Sequence, residues 1–202
     1  MLWCCAGGKS RGEESEIDDT PTERPTKNQP HLNQGELSFL CADLKFGRVG
    51  AGDVARLLDA RADPNAVDHC SNCALMYTAK VESKELEEQF VDSTILLLER
   101  KAQADVTGWC DSTPLHSAAQ CGHTKTLELL IHAKASLERQ DSNQQRALHM
   151  AAVCGFVPAI HLLLISNADP SPKDGQGHTA LDLAVEHGNQ DAVELLQQCA
   201  AS

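Results

Sequence analysis

The sequence predicts an all-α solenoid of about five stacked helix-turn-helix units with short β-hairpin tips, behind a disordered amino-terminal tail. Three observations predict it. The segments STPLHSAAQCGHTKTLELLIHAKASLE, QRALHMAAVCGFVPAIHLLLISNADPS and HTALDLAVEHGNQDAVELLQQCAAS fall into register with one another. Their opening positions, Gly108, Asp141 and Asp174, are 141 − 108 = 33 and 174 − 141 = 33 residues apart, so one supersecondary unit repeats along the chain. Residues 1–35 hold Pro21, Pro25 and Pro30 and the run GEESEIDDTPTERPTKNQP, with almost nothing apolar between Ile17 and Leu32. Such a segment buries too little surface to offset its ordering entropy, and it reads as a flexible tail.

The repeating region spans 36–202, in units at 36–67, 68–107, 108–140, 141–173 and 174–202. The first is visible through VARLLDARADPNAVD, while its front half, GELSFLCADLKFGRVGAGD, departs from the pattern. The second opens at Asp68 and is 108 − 68 = 40 residues long, seven over the period. Its excess lies in KVESKELEEQFVDSTILLLER, where Leu86, Phe90, Ile95 and Leu98 are spaced like a helix face. Seven residues are close to two turns, which predicts a lengthened helix or an acidic elbow. Glu82, Glu85, Glu87, Glu88 and Asp92 against Lys80 and Lys84 read as a solvated face rather than a docking site for a basic partner.

Unit three shows how the residues dictate the fold. Thr113 offers an N-cap hydroxyl, Pro114 suits the first helical position where no amide donor is needed, and Leu115, Ala118 and Ala119 make an apolar stripe. Gly122 can take the left-handed conformation that stops this helix, and Leu127, Leu129, Leu130 and Ile131 begin a second. Gly155 and Gly188 repeat the stop. Ala118, Ala119, Ala151, Ala152 and Ala184 are small enough to let helices of adjacent units approach closely. The last unit is expected to cap the stack, with Glu186, Asn189, Gln190 and Gln197 toward solvent. Cys73 and Arg146 stand where the capping threonine is expected, and the loss of such a cap costs about 1 kcal/mol. Arg61, Lys101, Lys134 and Asn167 fill the position of the glycine that ends the second helix, and all but the asparagine are poor left-handed residues.

With TPLHSAA at Thr113–Ala119, its 33-residue recurrence and the helix-to-loop tails quoted above, the chain resembles the ankyrin-repeat family over roughly 36–202. The resemblance implies a module that binds a partner protein rather than an enzyme. It also implies that His116 and His149 hydrogen-bond within and between units, so these histidines are read as structural rather than as ligands. Hairpin positions and the ends of first helices line the concave face of the family's stacks. Here they are His69, Asn72 and Lys80 in unit two, Trp109, Cys110, Ser112, Gln120 and Cys121 in unit three, and Ser142, Asn143, Gln145, Val153 and Cys154 in unit four. Trp109 is the strongest candidate anchor, because an indole at a hairpin tip has little to bury against in its own unit and tryptophan is enriched at binding hot spots.

Composition narrows the alternatives. The 29 acidic and 17 basic side chains give a formal charge of -12, which opposes the phosphate neutralisation behind nucleic-acid affinity. No stretch has the roughly 20 apolar residues of a membrane span and the start lacks a signal-peptide core, so a cytoplasmic address is expected. Nine cysteines in such a chain read as reduced thiols. The pair at Cys70 and Cys73 has no second pair at zinc spacing, and Cys121 and Cys154 recur at the same position of adjacent units, too far apart for a disulfide. Gly7–Ser10 is not a phosphate-binding loop, because Trp3 stands where its first glycine belongs. No nucleophile-base arrangement is apparent, and neither a catalytic residue, a cofactor nor a metal is expected. A monomer alone, acting as an adaptor for a protein of unknown identity, is the leading reading. A second makes the chain a membrane-proximal scaffold anchored by S-palmitoylation of Cys4 or Cys5, beside Leu2, Trp3, Lys9 and Arg11. A thiol- or metal-dependent enzyme is the remote third.

Overall fold

A short apolar stripe bounded by a hydroxyl at one end and a glycine at the other can form only a brief helix, and this pattern recurs along the chain. The computed structural model describes residues 50–68, 70–80 and 84–200. The nine α-helices among them are α1 (Ala51–Asp59), α2 (Ala74–Ala79), α3 (Lys84–Glu99), α4 (Pro114–Cys121), α5 (Thr124–His132), α6 (Ala147–Cys154), α7 (Val157–Ile165), α8 (Ala180–Glu186) and α9 (Gln190–Ala200). A 3-10 turn at Trp109–Asp111 precedes α4. The tail expected at 1–35 and residues 36–49 of the first unit lie outside the described residues.

Two layers result. In the first, α2, α4, α6 and α8 pack each on the next; in the second, α1, α3, α5, α7 and α9 do the same. Ala118, Ala119, Ala151, Ala152 and Ala184 are fully buried between the layers, where a larger side chain would hold the helices apart. Leu115, Leu127, Leu130, Ile160, Leu163 and Leu196 fill the remaining space and are at most 1% exposed. Each such buried apolar side chain stabilises the stack by about 1.5–3 kcal/mol.

The helix ends follow from local chemistry. The hydroxyls of Thr113 and Thr179 accept the N–H groups of His116 and Asp182, whereas Cys73 and Arg146 give no side-chain cap. Gly122 and Gly155 end α4 and α6 at φ 72° and 71°. Arg61, Lys101, Lys134 and Asn167 are also left-handed, at φ 65°, 67°, 67° and 70°, because the stack demands a tight stop there whatever the side chain. Ala62, Ala102, Ala135 and Ala168, one residue on, return their N–H groups to Leu57, Leu97, Leu130 and Leu163 at 2.9–3.1 Å, the bond that closes such a helix end.

The excess of the second pair is a lengthened helix: α3 has 16 residues against 9 in α5 and in α7, a difference of seven. Its buried face differs from the one expected. Phe90, Ser93, Thr94 and Leu97 are fully buried, while Ile95 and Leu98 are half-buried. The buried set is spaced i, i+3, i+4, i+7 from Phe90, the geometry of one helix side. Thr94 Oγ1 meets Thr78 Oγ1 at 3.0 Å and donates to the Phe90 carbonyl at 2.9 Å, so the polar positions are partly satisfied internally. Of the residues expected to cap the stack in solvent, Glu186, Gln190 and Gln197 are exposed. Asn189 is not: it is half-buried, and its amide donates to the carbonyls of Ala152 and Val153, both at 2.8 Å. It satisfies carbonyls that α6 leaves open at its end.

Candidate functional site

Each turn between helix pairs closes with a backbone bond spanning four residues, Asp68 to Asn72, Gly108 to Ser112, Asp141 to Gln145 and Asp174 to His178, at 2.8–2.9 Å. In three of these turns an aspartate organises the loop. Asp68 Oδ1 accepts from the N–H groups of Cys70 and Asn72, Asp141 Oδ1 from Asn143 and Gln145, and Asp174 Oδ1 from Gln176 and His178. Burial works to raise the Asp174 carboxyl, but the His178 N–H, the Gln145 amide and the Gln176 N–H together hold it below the usual carboxylate range.

Numbered by the unit that it opens, the third turn has Gly108 in place of the aspartate. Without that acceptor, Cys110 turns left-handed at φ 57°, in addition to Asp111 at φ 56°, whose position is left-handed in all four turns, and the chain makes the 3-10 turn that carries Trp109. The indole is 64% exposed. Cys110 and Asp111 are exposed beside it, as are Lys80 and Gln120 at the ends of α2 and α4, Ser142 and Asn143 in the next turn, and Cys154 at the end of α6. Asn72, Ser112, Cys121, Gln145 and Val153 are half-buried. His69, Cys4 and Cys5 lie outside the described residues.

The row is continuous through hydrogen bonds. Ser142 N–H donates to the Cys110 carbonyl and Gly175 N–H to the Asn143 carbonyl, each at 2.9 Å. Gln145 is the most engaged of the sequence candidates. Its N–H is held by Asp141, its amide donates to Asp174 Oδ2 at 3.1 Å, and its carbonyl faces His116 Nε2 at 3.0 Å. Gln145 therefore joins turns, and Ser142, Asn143 and Gln144 present the free edge. Asp111 and Gln144 are exposed members of the face that sequence reasoning passed over. They share a register position with Ser71 and Gly177, and all four have positive φ, so alignment of the turns was the signal for them.

The two histidines bridge the row from beneath. Thr113 N–H donates to His116 Nδ1 at 3.2 Å and Arg146 N–H to His149 Nδ1 at 3.2 Å. Each Nδ1 is thus an acceptor, and Nε2 carries the proton that goes to the carbonyl of Gln145 or of Pro172, the latter at 3.1 Å. Burial lowers the pKa of both rings, which keeps them neutral and structural. Among the described residues Cys70, Cys73, Cys110, Cys121, Cys154 and Cys199 are in no disulfide. Burial pushes the thiol of Cys73 up, away from the reactive thiolate. Among the described residues no three His, Cys, Asp or Glu side chains converge as a metal site would require, and no helix is long and apolar enough to cross a membrane.

The chemistry on this face is therefore one indole, one exposed carboxylate at Asp111 and several uncharged hydrogen-bonding side chains. The sequence matches the family model "Ankyrin repeats (3 copies)" over residues 48–141 and 133–202. No curated protein matches closely enough to count as a relative. Repeats of this kind generally serve as protein–protein interaction modules. The match takes in all nine described helices and agrees with their two-layer packing, and the chain belongs to the ankyrin-repeat family.

Proposed function

We propose that the chain is a non-catalytic adaptor that holds a partner protein on the row of turns and first-helix ends of units 68–107, 108–140 and 141–173, with Trp109 as the anchor. One observation carries this reading: an indole 64% exposed to water on a turn whose next two residues are both left-handed. Tryptophan is enriched among the residues that carry binding energy, and non-glycine residues at positive φ are retained where a defined loop shape is needed. Gln120, Ser142, Asn143 and Gln144 around it supply neutral donors and acceptors of the kind that surround a hot spot and exclude water.

Comparative affinity capture with the parent chain and Trp109→Ala tests the proposal. The ring makes few contacts of its own to lose, so the melting temperature should barely move, while capture of the parent's partner should weaken by about 2 kcal/mol. A clear loss of stability with capture intact would assign the ring to local packing and move the contact surface to Gln120, Asn143 and Val153. The membrane-anchored form of this reading rests on Cys4 and Cys5. It fails if a Cys4→Ser, Cys5→Ser double variant partitions between membrane and cytosol as the parent does.

A further inference from the structure

We infer that Asn72 is the positioning residue for Trp109, its side chain accepting the N–H that the corresponding residue of each later turn gives to a backbone carbonyl. The comparison between turns carries the argument. The second residue of the fourth turn, Ser142, donates its N–H to a backbone carbonyl of the turn before it, and so does Gly175 in the fifth, both at 2.9 Å. Trp109 holds the same position in the third turn, yet its N–H goes to Asn72 Oδ1 at 3.2 Å.

The amide that receives it is itself oriented. Asn72 Nδ2 donates to the Tyr77 hydroxyl at 3.4 Å, and that hydroxyl donates to Asp68 Oδ2. Asp68 in turn holds the N–H of Asn72 through Oδ1, at 2.9 Å. A relay of Asp68, Tyr77, Asn72 and Trp109 thus sets which end of the Asn72 amide faces the indole-bearing residue. Gly108 makes the approach possible, since a Cβ there would lie 2.4 Å from Asn72 Oδ1 and 2.5 Å from Met76 Sδ. The imidazole bridge found at His116 and His149 has no counterpart here, because Met76 occupies that position and a thioether has no proton to donate. The Lys125–Glu88 ion pair between α5 and α3 spans the same seam at 2.8 Å but is well exposed, and such pairs contribute little. Asn72 accordingly determines how the anchor residue is presented.

The inference rests on the proposed role of Trp109 only for its effect on binding, and its structural half is testable without a partner. In full-length chain carrying Trp3→Phe, fluorescence reports Trp109 alone. Asn72→Leu keeps the branched shape and removes the acceptor. It should speed hydrogen exchange at the Trp109 amide by about tenfold and lower the fluorescence anisotropy, while the Ser142 and Gly175 amides exchange as in the parent. Tyr77→Phe is the milder variant, read in the same way if Asn72→Leu folds poorly, and should move both readouts in the same direction by a smaller factor. Unchanged exchange and anisotropy at Trp109 in both variants, or an equal rise at all three amides, overturns the inference. For binding, twelve-residue peptides selected by display on the Trp3→Phe chain serve as the probe. Loss of peptide affinity in Asn72→Leu together with Trp109→Ala supports the coupling. Faster exchange in Asn72→Leu, with peptide affinity unaffected by Trp109→Ala, leaves the positioning role standing and removes the anchor role of the indole.

Discussion

Gly122 is the position at which the packing argument can be tested most directly, by substitution with alanine. Two effects oppose a side chain there. The residue sits at φ +72°, and a Cβ would come within 2.5 Å of Phe156 Cδ1, 2.6 Å of Cγ and 2.9 Å of Cε1. A left-handed L-residue costs about 1–2 kcal/mol, and forcing a packed ring aside costs about 1–3 kcal/mol more, so Gly122→Ala should destabilise by about 2–5 kcal/mol. Gly188 provides the control, because it has nearly the same backbone, φ +70°, with nothing within 4 Å of the added carbon. Gly188→Ala should therefore show the conformational term alone, about 1–2 kcal/mol. Urea denaturation of both variants, followed by circular dichroism with m-values compared, measures the difference. A cycle with Phe156→Ala isolates it: in that background Gly122→Ala should lose its steric component, giving a coupling of about 1–3 kcal/mol. The reasoning is refuted if Gly122→Ala is no more damaging than Gly188→Ala, or if the coupling falls below about 0.5 kcal/mol.

Two further outcomes follow from features already described. His116 and His149 have pKa values lowered by burial from 6.5, so between the folded and unfolded values the unfolded chain binds more protons and stability rises with pH. The stabilisation is complete above about pH 6.5 and declines as pH falls below it. The urea midpoint should be lower at pH 5.5 than at pH 7.5, with a shallower slope in His116→Gln, and an equal or higher midpoint at pH 5.5 would contradict the neutral state of the buried rings. The second outcome concerns the uncapped start of α2. Cys73→Thr with Met76→His rebuilds the hydroxyl and imidazole pair seen at Thr113 and His116, and should stabilise by about 1 kcal/mol, read as a raised urea midpoint at constant m-value.

The recurrence of Gly122, Gly155 and Gly188 and of the small alanines made most of the two-layer architecture legible, because a fixed period ties each residue to one place in a stack. The exceptions have physical causes. On α3, Ile95 and Leu98 outrank Ser93 and Thr94 in hydropathy and drew the expected face toward themselves. Burial followed helix geometry from Phe90 instead, with Thr94 bonded to Thr78 and Phe90. Asn189 looked like a surface amide, yet it lies across Gly155, where a Cβ would meet its side chain at 2.7 Å. Polar turn residues are the hardest to place from sequence, since an amide such as Gln145 can face solvent or join two turns at no difference in composition. The left-handed Cys110, which makes a pair with the Asp111 position that is left-handed in all four turns, follows from the missing aspartate at Gly108, a signal present in the 33-residue alignment but weak in a single copy.

The direction of the inter-unit bonds bears on the order in which the chain can become stable during synthesis. His116 needs the carbonyl of Gln145, 29 residues on, and the carbonyls of Ala152 and Val153 wait for Asn189, 37 and 36 residues on. Phe156 covers Gly122 from the following pair, and the Ser136 and Asp169 N–H groups arrive at Asp105 and Glu138 from 31 residues downstream. Helix pairs made on the ribosome thus carry polar groups, some of them partly buried in the finished stack, whose partners have not yet been translated. Structure propagates with a lag of about one repeat behind the exit tunnel, and the pair most recently emerged is at every moment the one open to proteases and chaperones.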